Sequence, residues 1–281
     1  MTTLALADVI KNIRDLPSLP VVVMELLNSF EQEDVSIGVL AAKVSRDQAL
    51  AAKTLRLANS SFYGLQSKVT TINQAITILG FDSVRTLITA AAVTDNFSAG
   101  KHASFDFKAF WRHSIGTALC SKMLARALNL NQDYAFISGL LHDIGKLVLV
   151  TRFPQQYAAA IAHRDKHDCY MLEAESAVLG VDHTTVGRAL AEYWKFPALM
   201  QKAIASHHAP DAPDFVDIPG IVHIADAIMH ALDLTGQERD LVPVIMEGAW
   251  NSINLAPDVL RSVFRDTESE FEEACQILAA G

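Results

Sequence analysis

The chain has 281 residues, 51% of them apolar and 20% charged, and a formal net charge of −9. That length can bury a sizeable core and that balance excludes a disordered chain. An acidic surface repels phosphate backbones and anionic lipid, so the reading admits no nucleic acid and no membrane as partner.

The N-terminal MTTLALADVIKNIRDLP lacks a basic segment followed by an apolar run, so it is not a secretory signal. Pro20 opens a helix over VVVMELLNSF, at a position where its missing N–H is harmless. Asp47 caps another that begins at Gln48. Thr71-Ile72-Asn73-Gln74 has capping-box form, and the helix it starts ends at Gly80. Asp82 caps SVRTLITAAAV; beyond the small, polar stretch 96–104, Asp106 caps a long run over 107–128. Helical patterns follow at 133–144, 155–166, 172–179, 184–195, 197–208, 219–232, 241–254 and 257–278. The β-branched runs 21–23 and 146–150 are too short to outvote their surroundings. Apolar stretches such as 87–93 and 147–150 fall short of the ~20 residues that span a bilayer. The class is all-α and soluble. Cys120, Cys169 and Cys275 form neither a disulfide framework nor a metal knuckle, as expected of reduced thiols in a cytoplasmic protein.

All ten histidines follow residue 101. With the polar stretch 96–104 as boundary, we divide the chain into a histidine-free helical lobe, 1–100, and a histidine-rich lobe, 101–281. The second lobe holds GLLHDIGK. On a wheel for 133–144, Phe136, Ile137, Leu140, Leu141 and Ile144 form one apolar stripe, with Asp143 at its rim. A carboxylate there needs a partner, because burying an unpaired charge costs several kcal/mol. Candidate partners recur along the lobe. His223, Asp226 and His230 share one narrow face of IVHIADAIMHAL. His207-His208 ends a helix, where the pair could also complement the helix dipole. His183 stands in the first turn of a helix, a poor place for a cation and a good one for a neutral ligand. His113 lies one turn into the 107–128 helix, where a lone histidine could equally belong to the core. Imidazoles and carboxylates without thiols suit a divalent Mn, Fe, Zn or Mg ion. Lys146 could reach a substrate phosphate or serve as a helix-terminal cation.

HDIGK with an upstream histidine and a downstream aspartate resembles the HD superfamily of metal-dependent phosphohydrolases. The wider chain resembles its HDOD branch, used in bacterial signalling, through LPSLP, LRLANSSFYG, INQAITILGFDSVRTL, FWRHS, AFISGLLHDIGKLVL, LGVDHTTVGRALAEYWKFP and ASHH. The resemblance implies an HD-type helical bundle with an N-terminal helical lobe packed against it. It implies one metal site at His113, His142, Asp143 and Asp226. The pattern of the related HD-GYP phosphodiesterases adds His183, His207 and His208 around a second ion. Asp143 and Lys146 are then the candidates for chemistry. Many HDOD proteins have lost these ligands; this chain keeps them. It departs from HD-GYP enzymes in having 209–213, APDAP, where their long motif follows the paired histidines. It also has Ala109 where some carry a glutamate that supports a third ion. Cyclic-di-GMP hydrolysis is therefore not expected.

Two functions follow. The resemblance puts first a regulatory module with a retained metal site, acting through signalling proteins or a nucleotide ligand. The alternative is an active metal-dependent phosphohydrolase on a nucleotide or phosphomonoester. Metal binding should weaken below pH ~6.5, because imidazoles must shed protons to ligate.

Overall fold

The computed structural model describes residues 3–16, 18–31, 36–59, 68–97, 105–236 and 241–278. Every regular element among them is helical, so the fold is all-α. The first half holds α1 (Leu6–Arg14), α2 (Val21–Asn28), α3 (Ile37–Arg46), α4 (Gln48–Ala58), α5 (Ile72–Leu79) and α6 (Phe81–Asn96). The second holds α7 (Phe107–Ala127), α8 (Gln132–Leu141), α9 (Ile144–Arg152), α10 (Pro154–His167), α11 (Met171–Leu179), α12 (His183–Tyr193), α13 (Ala198–Ser206), α14 (Ile218–Leu232), α15 (Glu247–Ile253) and α16 (Pro257–Leu278).

α7 is the axial element, packed against α8, α14 and α16. Ile115, Ala118, Leu119, Cys120 and Leu124 are buried around its circumference, as befits a helix at the centre of a bundle. Its start follows from the sequence: the Asp106 side chain accepts the Ala109 N–H at 2.9 Å. α9 crosses α12 so closely that a Cβ on Gly145 would lie 1.9 Å from the His183 carbonyl oxygen, so only glycine fits there. This crossing brings the N-terminus of α12 against Asp143.

In the first half α2, α4 and α5 gather on α6, and α6 leans on α8. Phe30 stacks on Tyr134 with ring centroids 5.0 Å apart. The Arg85 guanidinium sits 3.5 Å over Phe30 and donates to Ser29 Oγ and Asp82. α1 reaches across to α12: the Leu4 N–H donates to the Leu179 carbonyl at 2.7 Å, and the Tyr193 hydroxyl to the Arg14 carbonyl at 3.3 Å. The buried apolar side chains form one cluster running through both halves.

Several sequence expectations change. The helix expected at 133–144 stops at Leu141, and the run 146–150, read as β-branched, is helical within α9. His142 and Asp143 thus occupy the junction of two helices rather than one continuous wheel. Taken together 132–152 is as long and apolar as a bilayer span, but 89% of its apolar window is buried inside the fold. α1 and α3 were not anticipated. Asp82 lies inside the first turn of α6, its carboxylate paired with Arg85 at 2.6 Å instead of capping. The helix expected over 241–254 forms only at Glu247–Ile253, and Pro243 turns the backbone of Val242 before it away from the helical region. Pro17 of LPSLP, residues 60–64 of LRLANSSFYG and residues 98–104 of the polar boundary stretch lie outside the described residues.

Candidate metal centre

Four helix ends and two helix flanks deliver the polar side chains of the second half to one buried point. His142 and Asp143 come from the α8–α9 junction, His183 from the first turn of α12, and His207 and His208 from the end of α13. His113 comes from α7, and Asp226 and His230 from α14. All seven residues assigned as ligands from the sequence converge.

His142 Nε2 lies 3.4 Å from Asp143 Oδ2, 3.5 Å from Asp226 Oδ1 and 3.3 Å from His113 Nε2. His113 Nε2 is 3.0 Å from Asp226 Oδ1. The other oxygen of Asp143 faces a second set. Oδ1 lies 3.3 Å from His183 Nε2 and 3.5 Å from His207 Nε2. His183 Nε2 is in turn 3.0 Å from His208 Nε2. Asp143 heads α9 without capping it, because its carboxylate is turned into this cluster.

The outer ring nitrogens explain which inner ones are presented. His142 Nδ1 is 2.7 Å from the Gly139 carbonyl and His207 Nδ1 2.9 Å from the Ile204 carbonyl, so both Nδ1 atoms donate. His183 Nδ1 meets Glu175 Oε2 at 2.6 Å. A proton on Nδ1 leaves the Nε2 lone pair for a ligand. Lone pairs of several imidazoles then point at one another and at carboxylate oxygens, an arrangement that requires protons or a cation between them. Asp143 Oδ1 is buried with no hydrogen-bond partner. The residues therefore fit divalent metal. His183, His207 and His208 form one group that could hold an ion, and His113, His142 and Asp143 another.

Burial and neighbouring charges set the protonation of the cluster. Burial and then the neighbouring His230 push His113 down to about 4. Burial also pulls on His142, but Asp143 beside it prevails and raises it to about 10. Burial would raise Asp143, yet Lys146 and His142 hold it well below the usual carboxylate range. Asp226 is likewise held low against burial by bonds from His113, His142 and His230. Lys146 Nζ lies 2.5 Å from Asp143 Oδ2.

The centre opens on one side into a cavity of 440 Å³, within the range of small-molecule sites. His113, Asp143, Lys146, His208 and His230 form its polar end. Phe105, Phe110, Tyr157, Ile161, Met171 and Val244 line its apolar walls, and Arg164 adds a cation.

Three participants were missed or misplaced by sequence reasoning. Glu175 is fully buried and receives both the His183 backbone N–H, at 2.8 Å, and its ring. His230, noted only as a face-mate of Asp226, comes within 3.5 Å of Asp226 Oδ1. His223 turns away: its Nδ1 donates to the His207 carbonyl at 2.7 Å and its Nε2 accepts the Met246 N–H at 3.0 Å. His223 therefore supports the segment that carries His207.

Comparison with known proteins agrees with this architecture. The sequence matches the HDOD domain over residues 16–210. An HDOD domain protein of unknown function from Geobacter sulfurreducens superimposes with a TM-score of 0.74 at 25% identity, covering 98% of each chain. A Shewanella amazonensis protein provisionally named a phosphohydrolase superimposes at 0.73 and 28% identity, covering 96% of this chain and 97% of that one. An uncharacterized Treponema pallidum protein is 26% identical over 216 residues, 76% of this chain and 42% of its own. The chain thus spans under half the length of that curated relative.

Proposed function

The chain belongs to the HDOD domain family, and from that premise we propose that it is a metal-dependent phosphohydrolase of bacterial signalling, acting on a nucleotide or another phosphate ester. One observation carries the reading. The two oxygens of Asp143 face different sets of imidazoles, Oδ2 toward His113 and His142, Oδ1 toward His183 and His207. A carboxylate so placed can join two ions. Divalent ions held there, Mn, Fe, Zn or Mg by donor type, would lower the pKa of bound water and draw charge from phosphoryl oxygens. Lys146, in the cavity wall with its ammonium on Asp143, would also offer that ammonium to a phosphate oxygen. The aromatic walls hold the body of the ester and keep water from the polar end. A cytoplasmic location is part of this proposal, and three free cysteines suit a compartment where thiols stay reduced.

The test is metal analysis of the purified chain, paired with a screen of phosphomonoesters and nucleotides in Mn, Fe and Mg. The expected result is one or two bound ions and turnover near or above ~1 s⁻¹ on some ester, with both metal uptake and turnover lost in Asp143→Ala. Turnover that survives Asp143→Ala, or needs no metal, would refute the assignment. Cyclic-di-GMP should not be hydrolysed.

A second reading is a module that signals its metal- or nucleotide-bound state to a partner protein. It is favoured by one feature: every candidate ligand lies in α7 or later, so the described residues of α1–α6 supply none. A cellular phenotype insensitive to Asp143→Ala would favour this reading over hydrolysis.

A further inference from the structure

The ligand assignment leaves one imidazole of the centre without a role. His230 follows Asp226 by one turn of α14, so both side chains leave the same face of the helix. Its Nε2 is 3.5 Å from Asp226 Oδ1, and its ring centroid is 4.5 Å from that of His113. His113, Asp226 and His230 each offer a ligand atom, all within 4.8 Å of one another. His113 therefore belongs to two sets of donors, and Asp226 Oδ1, 3.5 Å from both His142 Nε2 and His230 Nε2, stands between them. In one set stand His142, which the cavity does not reach, and Asp143, with side chains 0% and 2% exposed. In the other stands His230, 14% exposed and part of the cavity wall. His113 Nε2 has one lone pair and can serve only one ion, so these two sets describe alternative or extended coordination of a single ion.

We propose that His230 is a metal ligand of this centre, closing the His113–Asp226 pair from the cavity side, where it competes with the phosphate oxygen of an incoming ligand. The proposal rests on the metal-centre reading above. Its physical basis is the limited number of coordination positions. A catalytic ion keeps one position open for water or substrate, and a closed set of protein donors leaves none. The position facing the cavity is the one a phosphate held there would take, and His230, in the cavity wall, stands beside it. Ester binding then displaces an imidazole as well as water. A centre with intact ligands can thus rest in a closed form until its ligand arrives.

Cobalt(II) serves as the probe ion and inorganic phosphate as the competing anion, with the full chain and its His230→Ala and His230→Gln variants. Glutamine keeps much of the size and polarity of the side chain without the imidazole nitrogen, which separates ligation from packing. Both variants should bind cobalt about tenfold or more weakly and show an altered visible spectrum, reporting the lost nitrogen donor. Phosphate should bind the cobalt-loaded variants severalfold more tightly than the cobalt-loaded wild type. Variants with wild-type cobalt affinity and spectrum, or with unchanged phosphate affinity, would overturn the proposal while the metal-centre reading stands. A wild-type chain that takes up no cobalt would overturn both.

Discussion

Glu175 and His183 are joined twice: one carboxylate oxygen of Glu175 lies 2.8 Å from the His183 backbone nitrogen and 2.6 Å from its Nδ1. Burial raises Glu175 to about 8, with Lys146 opposing the shift. A single residue at the middle of α11 thereby holds both the main chain and the ring of the first residue of α12.

Removing that clamp should loosen the ion set of His183, His207 and His208. Glu175→Ala is expected to lower metal affinity there by 10–100-fold, the usual effect of losing a partner to a ligating histidine. Glu175→Gln, whose amide oxygen still accepts from Nδ1, should lose less. Metal titrations of the two variants check the order; equal losses would show that charge, not orientation, is what Glu175 provides.

Metal uptake should release protons across a higher pH window than free imidazole suggests. His142 is raised to about 10, burial opposing and Asp143 prevailing, so it is protonated in the neutral, metal-free protein. A folded pKa above the ordinary 6.5 stabilises the metal-free fold fully below pH ~6.5. That contribution fades as pH rises toward about 10. Metal affinity runs the opposite way and should climb through the same window. Calorimetric titration at pH 7.5 in buffers of different ionisation enthalpy should therefore show proton release on binding. No release would place the proton elsewhere.

Gly145→Ala should damage both stability and the centre. The added Cβ would meet the His183 carbonyl oxygen at 1.9 Å, a backbone atom that cannot swing aside. The overpacking is expected to cost about 1–3 kcal/mol or more. It should appear as a lower urea midpoint with an unchanged slope. The same shift of α12 should weaken metal binding at His183.

Much of the centre was legible because histidine is scarce and its companions are telling. In IVHIADAIMHAL the polar positions are His-Asp-His instead of the lysines and glutamates of a solvated face, and two of those three residues enter the centre. Glu175 was not legible: it is one of 32 acidic residues, and its neighbour Glu173 in the same helix looks equivalent in sequence. Only the packing of α11 against α10 separates them, Glu173 reaching back to the Tyr170 N–H at 3.1 Å while Glu175 turns inward. The break after Leu141 was hidden because apolar residues continue on both sides of it. At the break His142 Nδ1 donates to the Gly139 carbonyl, and the Asp143 carboxylate turns to Lys146 and to the distant His183 and His207, which the helix pattern does not show. The split of ligands into two sets came from resemblance, since spacing along the chain does not say which oxygen of Asp143 faces which ring.

The seat of α1 against α12 sets an order of assembly during synthesis. The Tyr193 hydroxyl meets the Arg14 carbonyl across 179 positions of sequence, and Leu4 meets Leu179. At about 5–20 residues per second, α1 leaves the ribosome roughly ten to forty seconds before its docking surface has been made. Through that interval Val9 and Ile13, fully covered in the finished fold, have no native partner on α12. α1 waits for α12, which is made much later, and until α12 is in place the apolar face of α1 is available to chaperones.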